Sequence, residues 1–152
     1  MAVVLVSGCT PGPSISKADA MAMVNGYLKE TLRAVPTPAP VIHIYELGTT
    51  SCEYYLDTGP TGQITPGVAH LTEEVGKEKG RKYLADVEAY WEARPGARVK
   101  WSVRGDGEAN IVSVEPFGDD RRYWLTVTWA GGIRVAGGLD ECVWENGTPP
   151  PK

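Results

Sequence analysis

Two helical stretches interrupted by strand-like runs, together with a second half that alternates apolar and polar residues between turn signals, predict an α+β domain. The expected form is an antiparallel β-sheet of about five to seven strands with two α-helices packed on one face. A sheet covered on one side must alternate in just this way, because one face meets the core and the other meets water.

The first helix is expected from about Ser16 to Ala34. Ser16 can cap it, Asp19 suits the positive end of the helix dipole, and Met21, Val24, Leu28 and Leu32 recur at spacings of three and four. The run Val35-Pro36-Thr37-Pro38-Ala39-Pro40 stops the helix and stiffens the connection. Val41–Leu47 reads as a strand, and Cys52–Leu56 as a short aromatic one. The segment Asp57-Thr-Gly-Pro-Thr-Gly62 reads as a loop. Gln63–Thr72 reads as one strand bulged at Pro66-Gly67. The second helix is expected over Lys77–Ala93, with Tyr83, Leu84, Val87, Tyr90 and Trp91 on its apolar face and Pro95-Gly96 ending it.

The rest reads as a meander. Val99, Trp101 and Val103 face one way, and Lys100, Ser102 and Arg104 the other. Gly105-Asp-Gly107 turns, Asn110–Glu115 pairs back, and the segment from Pro116 to Asp120 turns again. Tyr123, Leu125, Val127 and Trp129 then alternate with Trp124, Thr126 and Thr128. Gly131-Gly132 turns into a last strand running from Ile133 toward Cys142. The composition of Asn146–Lys152 suggests a disordered tail. Residues 16–145 thus form one expected domain, which at this length buries enough surface to fold without metals or dense disulfides.

Charge narrows the partners. Charged residues make up 22% of the chain and the net charge is −4, with basic residues scattered. A nucleic-acid binder would need them clustered, so no nucleic-acid partner is expected. No run of about 20 apolar residues is present to span a bilayer.

The opening residues carry the clearest address. Ala2–Val6 are apolar, Ser7 and Gly8 are small, and a cysteine follows. Val6-Ser7-Gly8-Cys9 resembles the lipobox of bacterial lipoprotein signal peptides, in which the cysteine thiol takes a diacylglyceryl group and the preceding peptide is removed. Residues 1–15 are then a signal remnant and tether, with Thr10-Pro-Gly-Pro13 as a flexible spacer. A leader needs a positive n-region and a longer apolar stretch. None precedes Cys9, so the leader is expected to begin further upstream. Lipidation of Cys9 leaves Cys52 and Cys142 as an even pair, as an oxidising compartment favours. A bridge closing the roughly 90-residue loop between them would stabilise the fold by about 4 kcal/mol; two free buried thiols are an alternative reading.

Lipobox, Ala/Met-rich first helix, Cys52-Glu-Tyr-Tyr55, the Tyr83-Leu-x-x-Val-x-x-Tyr-Trp91 pattern and a hairpin-rich end closing on a cysteine resemble small secreted lipoproteins of actinobacteria. That family is of uncharacterised function. The resemblance implies export and this architecture, and it brings no catalytic residues.

Candidates for chemistry are few. Cys52 with His43 or His70 as base would make a thiol nucleophile, but no signature surrounds it. His43 in Ile42-His43-Ile44 reads as a solvent-facing strand residue. His70 with Glu73 and Glu74 lacks the usual three-ligand zinc pattern. No Gly-x-Ser-x-Gly, phosphate loop or dinucleotide fingerprint occurs. No catalytic set, metal or cofactor is therefore expected.

The aromatics are more informative, with five Trp and seven Tyr against one Phe. Trp91, Trp101 and Trp129 read as core. Alternation instead places Trp124 with Thr126 and Thr128 on the open face, with Arg122 nearby, as a candidate surface for a sugar ring or a protein partner. The expectation is a non-enzymatic binding or accessory lipoprotein, anchored by lipid on the outer face of the cell membrane. Its partner would be a protein or a cell-wall glycan. The rival readings are a small envelope hydrolase using carboxylates or Cys52, and a structural or assembly lipoprotein with no small ligand.

Overall fold

A serine side chain starts the first helix. Ser16 Oγ accepts the backbone N–H of Asp19 at 3.1 Å, and α1 runs over Lys17–Ala34. The computed structural model describes residues 15–47, 51–53, 60–104, 108–116 and 122–147. The expectations for the lipobox, the Gly105–Gly107 and Phe117–Asp120 turns, the side chain of Cys52 and the tail beyond Gly147 lie outside these residues.

Among the described residues, eight strands and one more helix follow α1: β1 (Val41–Leu47), β2 (Ser51–Glu53), β3 (Pro60–Ile64), β4 (Gly67–Glu74), α2 (Lys77–Glu92), β5 (Arg98–Arg104), β6 (Glu108–Glu115), β7 (Tyr123–Ala130) and β8 (Gly132–Leu139). Six of the strands form one antiparallel sheet in the order β1-β4-β8-β7-β6-β5, and β2 pairs with β3 in a small second sheet. Both helices lie on one face of the large sheet, α1 over β4 and β8, and α2 over β5, β6 and β7. The fold is the α+β arrangement the alternation predicted.

The core sits between that face and the helices. Val24 and Leu28 of α1, Leu84, Val87 and Trp91 of α2, Val112 and Val114 of β6, Leu125 and Val127 of β7, and Ile133 and Val135 of β8 are all at most 1% exposed. Each such side chain contributes about 1.5–3 kcal/mol by leaving water.

Trp91 ties the helices together. Its ring packs edge-on against Tyr27 at 6.2 Å, and its Nε1 donates to Thr31 Oγ1 at 3.1 Å. Glu30 on α1 accepts from Tyr90 (2.8 Å) and from Arg94. These two groups hold the outer ends of the helices together from the solvent side.

Three sequence readings need correction. Residues 60–62, read as the end of a loop, instead open β3. Gln63–Thr72 is not one strand. β3 ends at Ile64 and β4 begins at Gly67 in the other sheet. The break falls at Thr65-Pro66, where proline has no N–H to give a ladder, and the Pro66 carbonyl instead accepts from Leu139 at 3.0 Å. Likewise the last strand stops at Leu139 rather than reaching Cys142. Val143 then makes an isolated antiparallel bridge to Ile64. Ile64 also pairs with Ser51 on its other side, so the backbones beside Cys52 and Cys142 flank the same strand.

Candidate functional site

Among the described residues both helices pack on one side of the large sheet, and strand alternation decides what the other side displays. On β7, Tyr123, Leu125 and Val127 are buried toward the helices, so Trp124, Thr126 and Thr128 point the other way. Register carries the pattern across the sheet. Trp124, Thr126 and Thr128 stand opposite Gly138, Ala136 and Arg134 of β8. Those residues in turn stand opposite Gly67, Ala69 and Leu71 of β4, and Leu71 and Ala69 stand opposite His43 and Tyr45 of β1. Ile111 of β6 faces Thr128.

The result is an open groove of about 490 Å³ lined by Leu71, Ile111, Trp124, Thr126, Thr128, Ala130, Gly132 and Arg134. Ala130 and Gly132 are its small lining residues, while Ala69 and Ala136, placed on this face by the register, are 0% exposed.

Trp124 forms one end. A Cβ built on Gly138, its direct cross-strand partner, would fall 2.6 Å from Cζ2 and 2.8 Å from Cε2 of the indole. The ring therefore lies across the glycine backbone, which supports it from below and leaves the side chain half-buried. An aromatic covering a strand glycine is a recognised way to fix both.

Arg134 forms the other end. Its Nε donates to the Tyr45 hydroxyl at 2.8 Å, and its guanidinium carbon sits 5.9 Å from the Tyr45 ring centre. His43 stacks on Tyr45 with ring centres 5.1 Å apart. Tyr45 thus holds the arginine by one donor. Its Nη hydrogens meet no acceptor among the described residues, and with Nε engaged they form the edge that can bind a carboxylate end-on.

Of the residues singled out from sequence, Trp124, Thr126 and Thr128 come together in this groove. Arg122 does not. It lies just before β7, exposed, where its carbonyl accepts from the N–H of Asp140 at 2.9 Å. The arginine of the groove is Arg134, which alternation along β7 alone could not reveal. Only the Thr128–Arg134 register across the Gly131-Gly132 turn brings it in. Gly131, at φ +82°, takes the left-handed conformation that this tight turn demands.

The other titratable candidates stay dispersed. His43 is exposed on the open face, while His70 faces the helix side of β4 between Ile44 and Val135. Burial lowers the His70 pKa below its ordinary 6.5. No three His, Cys, Asp or Glu residues gather to hold a metal among the described residues. Cys9 and the Cys52 side chain lie outside them. Cys142 is disulfide-bonded and does not titrate. Among the described residues, no helix is long and apolar enough to cross a membrane. Comparison with protein-family models, curated proteins and solved structures finds no match.

Proposed function

We propose that this chain is the binding domain of a cell-envelope lipoprotein, tethered through a lipidated Cys9 and displayed outside the cytoplasmic membrane, with the sheet face opposite the helices as its ligand surface. The observation that carries the reading is the groove itself. A supported indole, two threonine hydroxyls and an anchored arginine line one open groove on the face opposite the helices. Such a mix of one aromatic, short polar side chains and a single charge suits recognition. The described residues bring no nucleophile–base pair together beside it.

Two features support display outside the cell. The Val6-Ser7-Gly8-Cys9 sequence fits lipid attachment. Cys142 is engaged in a disulfide, a bond that persists in oxidising compartments. We assign its partner as Cys52, whose strand neighbour Ser51 pairs with the same Ile64 that bridges Val143.

The test is site-specific crosslinking. A photoreactive residue replacing Thr126 on the native cell surface should capture one defined ligand, whereas the same residue replacing Lys79, exposed on α2, should capture none. Equal capture at both positions would remove the open face from the account. Cys9→Ala, expressed behind a complete signal peptide, should release the protein from membranes, and unchanged partitioning would remove the anchor.

A further inference from the structure

We propose that the groove takes a linear, carboxylate-bearing oligosaccharide laid along β7, with a sugar ring stacked on Trp124 and a carboxylate bound by Arg134. This inference rests on the open face being the ligand surface and names the class of ligand.

Charge gives the first reason. Arg134 is the one charged side chain among the groove's lining residues. On the same face, across from Ser113, stands the exposed Lys100, whereas Arg98 is matched by Glu115 at 4.0 Å. Glu74, exposed, stands across from Gly132 on the same face, so the positive charge is local to Arg134 within the groove lining, and the complementary occupant there is an anion. The guanidinium is planar, held by Tyr45 through Nε, and presents its Nη edge. That edge matches a carboxylate bidentately.

The second reason is the aromatic. The indole is backed by Gly138 and has a negative π face. The C–H groups on one side of a pyranose ring are weakly positive and flat enough to lie on it. Thr126 and Thr128 stand between the two ends, and each hydroxyl can donate one hydrogen bond and accept two. That pattern fits the mixed donors and acceptors of a sugar's hydroxyls better than an apolar side chain.

Length and polarity decide the rest. Trp124 and Thr128 are four residues apart, about 13 Å along the strand, with Arg134 directly opposite Thr128. That is the length of a short oligosaccharide rather than of one ring. A protein partner of standard size would cover about 800 Å² and want an apolar centre. This groove instead sets the hydroxyls of Thr126 and Thr128 and the charge of Arg134 among Leu71, Ile111 and Trp124.

The experiment uses the full chain with Cys9→Ala and three probes: a galacturonic-acid hexasaccharide, its methyl-esterified counterpart and a neutral glucose hexasaccharide. Affinity is read by calorimetry, and location by the methyl resonances of Thr126 and Thr128. The acidic probe should bind and shift both methyls, and the ester should bind about tenfold more weakly for want of the charged hydrogen bonds. Arg134→Gln should abolish that preference without changing affinity for the ester. Trp124→Ala should weaken all binding while Trp124→Phe retains most of it. Equal affinity for acid and ester in the parent chain would overturn the carboxylate. Absence of binding by any of the three would overturn the glycan class. If Thr126 still crosslinked a protein on cells, the open-face reading would survive that loss; if it crosslinked nothing, both would fall.

Discussion

Gly80 of α2 rests against the indole of Trp129 on β7 so closely that a Cβ there would fall 2.2 Å from Cδ1. Trp129 Nε1 donates to the Val75 carbonyl at 2.6 Å, which pins the ring beneath the first turn of the helix. The glycine sets how near α2 can approach the sheet. Gly80→Ala should therefore cost about 1–3 kcal/mol through overpacking, despite alanine's better helix propensity. Gly26 of α1 is the control, since a Cβ there would meet nothing within 4 Å. At that position alanine should stabilise by about 0.5–1 kcal/mol. Denaturant melts of the two variants should move in opposite directions.

Thr31 gives a second contrast. Its hydroxyl donates to the Tyr27 carbonyl at 2.8 Å and accepts from Trp91 Nε1, all in a buried setting. Thr31→Val keeps the shape but leaves the indole N–H without an acceptor, which should cost about 1–3 kcal/mol. Thr31→Ser keeps the acceptor and should cost less. Equal losses for the two variants would show that the hydrogen bond is immaterial.

The tryptophans should separate by face. Trp91 is 0% exposed at the meeting of both helices and the sheet, so Trp91→Ala should cost about 3–5 kcal/mol. Trp124 is partly exposed and rests on its cross-strand partner Gly138. Trp124→Ala should cost about 1 kcal/mol or less. Equilibrium unfolding followed by circular dichroism would rank them.

These contrasts also show what the sequence made legible. The caps and the three-and-four spacing of Val24 and Leu28 located α1 to within a residue, because a helix carries its pattern locally. The alternation of β7 put Trp124 on the open face for the same reason. Arg134 was missed because its place depends on pairing with another strand, which no local period records. The chain's change of sheet at Pro66 was missed because a proline inside an apolar run looks like a bulge until its neighbours' partners are known. The Gly138 support under Trp124 is a cross-strand fact of the same kind.

Acid should weaken the fold through His70. Burial favours its neutral form, so its pKa in the folded protein lies below the 6.5 of the unfolded chain. The unfolded state then binds the proton more readily. The stabilising term is complete above about pH 6.5 and is lost as the pH falls through the lower, folded value. His70→Gln should flatten the stability profile in that window, as measured by thermal melts between about pH 7 and 4.5. An unchanged slope would assign the acid sensitivity to other groups.

The disulfide assignment predicts one product. Peptide mapping of unreduced protein should find Cys52 joined to Cys142, with Cys9 free for lipid. A Cys9–Cys142 peptide would contradict both the bridge and the anchor.

The claim that the open sheet face works outside the cell is tested most directly by cysteine labelling with a membrane-impermeant maleimide. Thr126→Cys and Lys79→Cys would be compared on intact cells and in purified protein. The account predicts that Lys79→Cys reacts at the same rate in both, and that Thr126→Cys reacts readily in solution but is protected on cells by its ligand. A Lys79→Cys that stays unlabelled until cells are broken, or a Thr126→Cys equally reactive in both settings, would contradict it.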